Sequence, residues 1–435
     1  MNERTFIVRY LIGMAVVGIC LGASYRAQAS PPDHGREADV LTMSRAIDMA
    51  YQNAPAILEA HQRLKAAEAR YRQSRKWENP EFEMEVVKVP HDLGGEVTLN
   101  EETVEGEVRL TQPFKTFGKR RLVIEMAQEE KRQAELSLKR LRLEVRRQVK
   151  ERYVQALLFQ KGIDLAQDNL ERAQRFLDQV SMKYNAGKAR NYEIARARLV
   201  VAKAKNDLLA AKKRFSVAVR ELFILTGQNT RHRIRLKEEW GLSDLSGDFE
   251  DYLQEALRNR MEIQSQEREI IKREKAVILS RRRRLPDVNV GMFISREEAL
   301  YDLGAGVSFE VPIWNTFDEE VKEAVIEKET AELSLSVLKR EIELEVYRAF
   351  EDVRLSRQAV KNLKDAIKEA NELLRITTIE YQEGEVSFLV YLEGLTSYKE
   401  TKQEYLSALA KYAVDMAVLE QAVGKTAALN GGRQE

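Results

Sequence analysis

The 435-residue chain carries 71 basic and 70 acidic side chains, a formal net charge of +1, so charge singles out neither an acidic nor a basic partner. Charged residues at 32% with aromatics at only 7% resemble the surface of helical coiled coils more than a compact enzyme. The one cysteine, Cys20, lies in the N-terminal segment, which leaves the rest of the chain without disulfide or thiol chemistry.

Arg4 and Arg9 precede an apolar run from Leu11 to Leu21, and Ala27-Gln28-Ala29 supplies small residues for cleavage. This is the pattern of a secretory signal peptide over residues 1–29, with a mature start near Ser30. Ile19, where a lipoprotein signal needs a small residue before its cysteine, argues against acylation of Cys20. No later segment offers ~18 uninterrupted apolar residues, so any insertion into a membrane must use strands.

After a polar, proline-bearing leader, Thr42 or Ser44 is placed to cap a helix that Pro55 interrupts and that runs on to Trp77. Asn79-Pro80 stops it. Glu81 to Val86 then alternates acid with apolar, and the alternation returns from Val104 to Thr111, which predicts a hairpin over residues 80–113. A soluble sheet would place the apolar face on a core; a membrane barrel would place it on lipid, with the acids in a wet interior. Aromatics cluster near the strand ends: Trp77, Phe82, Phe114 and Phe117, with Phe293, Phe309, Trp314 and Phe317 later in the chain. That placement suits a membrane–water belt, and simple strand propensity would give it too. Basic residues flank the same places at Arg75, Lys76, Lys119 to Arg121 and Arg281 to Arg284. A snorkelling surface fits them best, with lipid phosphates a better partner than nucleic acid.

From Gly118 the period turns helical for roughly 65 residues, far beyond the usual ~11 to 12. Ala127, Ala134, Leu138, Leu141, Val145, Val149, Tyr153 and Ala156 form a narrow seam for a neighbouring helix. The helix ends at Tyr184-Asn185-Ala186-Gly187, and a return helix from about Tyr192 to Leu225 closes at Gly227. Residues 228–248 form a mixed connector. The order then repeats over 249–424: a helix from Phe249 to Arg284, a hairpin over 286–312 with strands at Asp287 to Ile294 and Gly304 to Val311, a long helix past Tyr381 to Gly384, and a final helix to Gly424. Residues 30–227 and 249–424 are thus two copies of one unit, and 425–435 is a frayed tail.

Each long helix, at about 67 residues and 1.5 Å per residue, would be about 100 Å long. One chain of this shape leaves helix seams uncovered and two sheet edges open, which lipid does not tolerate. A ring of chains removes both faults, and three chains would supply about twelve strands.

The sequence resembles the TolC-like outer-membrane efflux protein family over nearly the whole mature chain. The matching stretches are Leu41-Thr-Met-Ser-Arg-Ala46, Asn53-Ala-Pro55, Gln112-Pro-Phe, Gly118-Lys-Arg, and the tips Tyr184-Asn-Ala-Gly187 and Tyr381-Gln-Glu-Gly384. The stretch Gly384-Glu-Val-Ser-Phe-Leu-Val-Tyr-Leu-Glu393 and the ending at Gly424 look most like the heavy-metal (CzcC-like) branch. The resemblance implies a mainly α protein with membrane β: a homotrimer whose 12-stranded outer-membrane β-barrel, four strands per chain, continues into a long periplasmic α-helical barrel. It implies a passive exit duct for an inner-membrane pump of the resistance–nodulation–division (RND) type, joined by a periplasmic adaptor, and its heavy-metal branch implies metal cations as cargo. In that family, acids six and nine positions after the second tip glycine narrow the aperture. Here those positions hold Val390, a departure, and Glu393, while Glu193 is sixth after the first tip glycine. The adaptor would meet Gly187, Arg190, Asn191, Gly384, Ser387 and Phe388, and Trp77, Phe114, Phe117, Trp314 and Phe317 would form the membrane belt.

His34, His61, His91 and His232 are scattered, and no phosphate loop or nucleophile elbow stands out, so neither an enzyme nor a cofactor is expected. Within the family, a multidrug or type I secretion duct is the alternative. From another class the rival is a periplasmic coiled-coil adaptor or scaffold, which has no use for duplicated, alternating hairpins.

Overall fold

The computed structural model describes residues 39–88, 105–187, 189–228, 234–240, 245, 247–297 and 300–425. The expected signal peptide, His34, His91, His232 and the tail after Lys425 lie outside the described residues. In order, the elements are β1 (Asp39–Leu41), α1 (Met43–Asn53), α2 (Pro55–Ser74), β2 (Glu81–Lys88), β3 (Glu105–Phe114), α3 (Lys119–Asn185) and α4 (Asn191–Leu225). Then follow β4 (Ile234–Leu236), α5 (Phe249–Asn259), α6 (Met261–Arg283), β5 (Val288–Glu297), β6 (Leu300–Phe309), α7 (Asp318–Glu383) and α8 (Phe388–Ala422). The two copies match closely, with long helices of 67 and 66 residues and return helices of 35 each.

The first short helix is broken at Ala54, whose φ of −60° and ψ of 125° are extended, and Pro55 restarts it at a position where its missing N–H costs nothing. Thr42 caps α1, its hydroxyl accepting from the Arg45 N–H at 3.2 Å. The second copy breaks in the same way without a proline, which corrects the single helix expected from Phe249 to Arg284. Asp248 and Asp251 cap α5 reciprocally, and Arg260 takes φ −62° and ψ 124°, nearly the angles of Ala54. The break is held from outside: the buried Arg260 guanidinium donates to Ala422 O at 2.7 Å and pairs with Glu345 at 2.6 Å.

The return helix of each copy ends against that break. Gly227 (φ +70°) lies so close to it that a Cβ there would sit 2.2 Å from Asn53 O, and at Gly424 (φ +72°) a Cβ would sit 3.3 Å from the Arg260 N. Thus α1, α2 and α4 line α3, while α5, α6 and α8 line α7. The two halves meet where α3 packs on α6 and α8. Around the first break, Ile57, Val149, Val154, Leu157 and Leu222 are fully enclosed. Tyr153, on the expected seam, is buried there too, its hydroxyl within 3.0 Å of Leu41 O and 2.8 Å of Lys237 O. It pins to α3 the small β1–β4 sheet, which the leader and connector did not reveal.

The other sheet has the order β2-β3-β5-β6, antiparallel throughout. Its second hairpin is longer than expected, β5 reaching Glu297 and β6 starting at Leu300. β3 also runs through Pro113, which pairs only with Asn289 on β5, because β2 begins at Glu81 opposite Thr111. With no strand on that side, the missing N–H removes no ladder bond.

The membrane sheet, its junction and the hairpin tips

Residues directly opposite in an antiparallel ladder share a face. Phe82, Leu110, Met292 and Ala305 make one row, and Met84, Val108, Ile294 and Leu303 the next. The other face carries Glu83, Arg109, Phe293 and Gly304, then Glu85, Glu107, Ser295 and Asp302. Among the described residues nothing covers the apolar rows: Phe82 is 65%, Met84 68% and Leu303 73% exposed. A core-facing sheet would bury them, so the ambiguity left by the alternation resolves toward a lipid-facing side and a polar side. Phe293 belongs to the polar side: it lies over Gly304, and the Arg109 guanidinium lies 5.4 Å from its ring. It is not part of an interfacial belt.

Where the sheet meets the helices, Lys119 turns inward, while Arg75, Lys76, Arg121, Arg281, Arg283 and Arg284 stay exposed. Lys119 is 6% exposed, and its ammonium donates to Leu285 O at 2.5 Å and Asp287 Oδ1 at 3.0 Å. Thr116 N–H donates to the same Asp287 oxygen at 3.0 Å. Arg282 donates to Phe117 O at 2.8 Å, Arg283 pairs with Glu320, and Arg284 with Asp318. The basic residues thus keep the exposed surface expected of them, with Lys119 the exception, and Arg283 and Arg284 are in addition paired to acids of α7. Of the expected belt, Trp77 packs edge-on to Phe114 at 5.9 Å under the Arg120 guanidinium, 4.3 Å above its ring. Trp314 is 96% exposed and Phe117 53%, while Phe317 is half-buried. Phe117 and Phe317 both take left-handed backbone, at φ +52° and +58°, just before the long helices.

At the far end, both tip glycines are left-handed (Gly187 φ +72°, Gly384 φ +86°), and a Cβ on either would meet nothing within 4 Å. Their glycine serves the turn alone. Behind them an aromatic cluster joins the two hairpins. Phe176 of α3 stacks on Tyr391 at 4.6 Å and lies 5.3 Å from Tyr381 and 5.1 Å from Phe388. Lys183 donates to Tyr381 O at 2.7 Å and sits 4.3 Å from its ring. Burial, with the nearby Glu193 charge adding to it, pushes the Tyr381 hydroxyl up to about 12. The sequence did not single out Phe176, Tyr391 or Lys183, whose meeting depends on how the hairpins dock. Phe388 is 5% exposed inside this cluster, so its side chain does not present a docking surface as expected. Arg190, Asn191 and Ser387 are exposed, as are Val390 and Glu393, and Glu193 is half-buried. Gly394 fixes how α8 faces α7, since a Cβ there would lie 2.6 Å from Thr377 Oγ1.

Among the described residues no helix is long and apolar enough to cross a membrane, and no cluster of His, Cys, Asp and Glu could hold a metal ion. The chain is 23% identical over 318 residues to the cobalt-zinc-cadmium resistance protein CzcC of Cupriavidus metallidurans, a match covering 72% of this chain and 75% of that protein. Its fold matches the solved structure of CusC, a protein that forms a transmembrane channel, with a TM-score of 0.76 and 17% identity over 88% of this chain and 92% of the other. It also matches the Campylobacter jejuni CmeC outer membrane channel, with a TM-score of 0.70 and 17% identity over 88% and 85%. The profile of the outer membrane efflux protein family covers residues 46–228 and 252–425, the same two copies that the folded chain displays, and the chain is a member of that family.

Proposed function

We propose that three copies of the chain close into an outer-membrane barrel continued by a periplasmic helical barrel, and that this pipe is the passive exit duct of a tripartite RND-type efflux system. One observation carries the proposal. Among the described residues a four-stranded sheet exposes a largely apolar face and leaves the outer edges of β2 and β6 without a partner strand, an arrangement that hydrocarbon accepts only when the strands close on themselves. The helices repeat the theme. On α4, Leu199, Leu209 and Ile224 are exposed, and on α7 so are Ile326, Leu333, Val337 and Leu344, at spacings that suit a neighbouring helix.

Trp77, Phe114, Phe117, Trp314 and Phe317 then stand at the inner boundary of the membrane, level with the rod-side rim of the sheet. Arg190, Asn191 and Ser387, around the turns at Gly187 and Gly384, form the adaptor-facing tips; Phe388 supports them from inside. Glu393 and Glu193, with Val390 in place of an acid, line the narrow end. The likeness to CzcC favours divalent heavy-metal cations as cargo over drugs or secreted protein. A scaffold reading leaves the exposed sheet without a purpose. Reconstituted into planar bilayers, the mature protein should give discrete conductance steps, and its deletion should sensitise cells to cobalt, zinc or cadmium salts. Silence in bilayers would remove the duct; sensitivity to dyes and detergents alone would keep the duct and change the cargo.

A further inference from the structure

Two features at the rod-side rim of the sheet lie on opposite edges. On the β2 edge a pocket of about 580 Å³ opens between the end of α2, the start of β2 and the first turn of α3, lined by Lys76, Trp77, Glu78, Glu81, Lys115 and Arg120 among others. The Arg120 guanidinium covers the Trp77 ring, and its Nε is buried without a hydrogen-bond partner. Lys115 pairs with Glu78, while Lys76 makes no ion pair among the described residues. On the β6 edge the chain leaves the sheet through an exposed apolar segment: Val311 at 62%, Ile313 at 67% and Trp314 at 96%. Glu310, also exposed, makes no ion pair among the described residues.

The register puts both features at the same end of the sheet, since Glu81 pairs near the end of β3 while Phe114 pairs with Val288 and Val288 with Phe309. Within one chain, two strands separate β2 from β6, a span of about 14 Å at ~4.8 Å per step. In a closed ring the two edges become neighbours.

We infer that Trp314 of one protomer seats in the Lys76–Trp77–Arg120 pocket of the next. The indole meets a net-basic recess floored by Trp77 and covered by the Arg120 guanidinium, an arrangement attractive through the ring quadrupole, and Glu310 brings a carboxylate opposite Lys76, which pairs with no described acid. A second copy fits better than lipid because the recess is shaped from three elements and carries the charge complementary to this segment. The contact also fixes register: a one-residue slip of β6 along β2 turns its apolar set to the wrong face and draws Trp314 off the pocket. The inference rests on the ring closure proposed above and adds the contact that selects its alignment.

Because Cys20 is the only native cysteine, and lies in the expected signal peptide, engineered pairs can be read cleanly. The full-length chain carrying Lys76→Cys and Trp314→Cys, extracted from outer membranes and mildly oxidised, should give covalent dimers and trimers on a non-reducing gel. They should collapse with thiol and be absent from either single variant. A native trimer that yields no covalent ladder overturns the inference while leaving ring closure intact; a wild-type chain that forms no trimer overturns both. As an independent reading on unmodified side chains, brominated phosphatidylcholine should quench Trp314 emission weakly. Strong quenching that disappears in Trp314→Phe would place the indole in lipid and overturn the seat.

Discussion

Substituting Gly227 by alanine should be among the most damaging single-methyl changes in the chain. The backbone there is left-handed at φ +70°, which costs a residue with a Cβ roughly 1 to 2 kcal/mol. The new methyl would also lie 2.2 Å from Asn53 O and 2.8 Å from Asn53 C. Both are backbone atoms closing α1, so they cannot swing aside like the end of a side chain, and relieving the overlap adds about 1 to 3 kcal/mol. The sum, about 2 to 5 kcal/mol, is a large fraction of the ~5 to 15 kcal/mol typical of a folded domain. Gly424 occupies the same place in the second copy but leaves 3.3 Å to Arg260 N, so its alanine variant should suffer less. Gly384, at φ +86° with nothing within 4 Å, should show backbone strain alone, about 1 to 2 kcal/mol and confined to the tip. Apparent melting of the detergent-solubilised protein, followed by far-ultraviolet circular dichroism at one scan rate, should therefore fall in the order Gly384→Ala, Gly424→Ala, Gly227→Ala. A Gly227→Ala protein that melts with the Gly384→Ala protein would refute the claim that each return helix is locked against a helix break.

Removing the Tyr153 hydroxyl (Tyr153→Phe) should cost about 1 to 3 kcal/mol and speed exchange of the Lys237 amide, which bonds Leu41 O at 3.0 Å; unchanged exchange would mean the hydroxyl pins nothing. Burial alone would raise the Glu269 pKa, but bonds from Lys272, Gln133 and Arg273 leave it below the usual carboxylate value. Its stabilisation of the α3–α6 seam is therefore full above the unfolded-state pKa of ~4.3 and is lost as pH falls through the lower folded value. Glu269→Gln should flatten the acid limb of a stability profile, and an unaltered limb would exclude this contribution. Glu393→Lys should shift the reversal potential of the bilayer channel toward anions, whereas identical selectivity would take Glu393 out of the aperture.

Much of the architecture was legible because it is written in period. The two-residue alternation at Glu81 to Val86 and the helical run after Gly118 each persist long enough to outweigh local noise, and their recurrence about 200 residues later marks the unit. The break at Arg260 was not legible, since arginine carries no local signal for leaving a helix and its partners are Ala422 and Glu345. Likewise the three-residue strands β1 and β4 are too short for a pattern and exist through Tyr153. At the candidate sites, exposure separates residues that sequence position treats alike. Ser387 and Phe388 are adjacent at the second tip, yet only Ser387 is open to a partner, because Phe388 fills the aromatic cluster behind it. Arg283 and Arg284 read as surface and are exposed, but their pairing with Glu320 and Asp318 of α7, and the Arg282 bond to Phe117 O, depend on how distant segments meet.

The most direct test counts chains. Native mass spectrometry of the protein released from outer membranes in mild detergent should show particles of three chains, in which both sheet edges and the exposed seams of α4 and α7 are covered. A particle of one chain, folded with its four strands and inserted in a lipid bilayer, would contradict the account at its root.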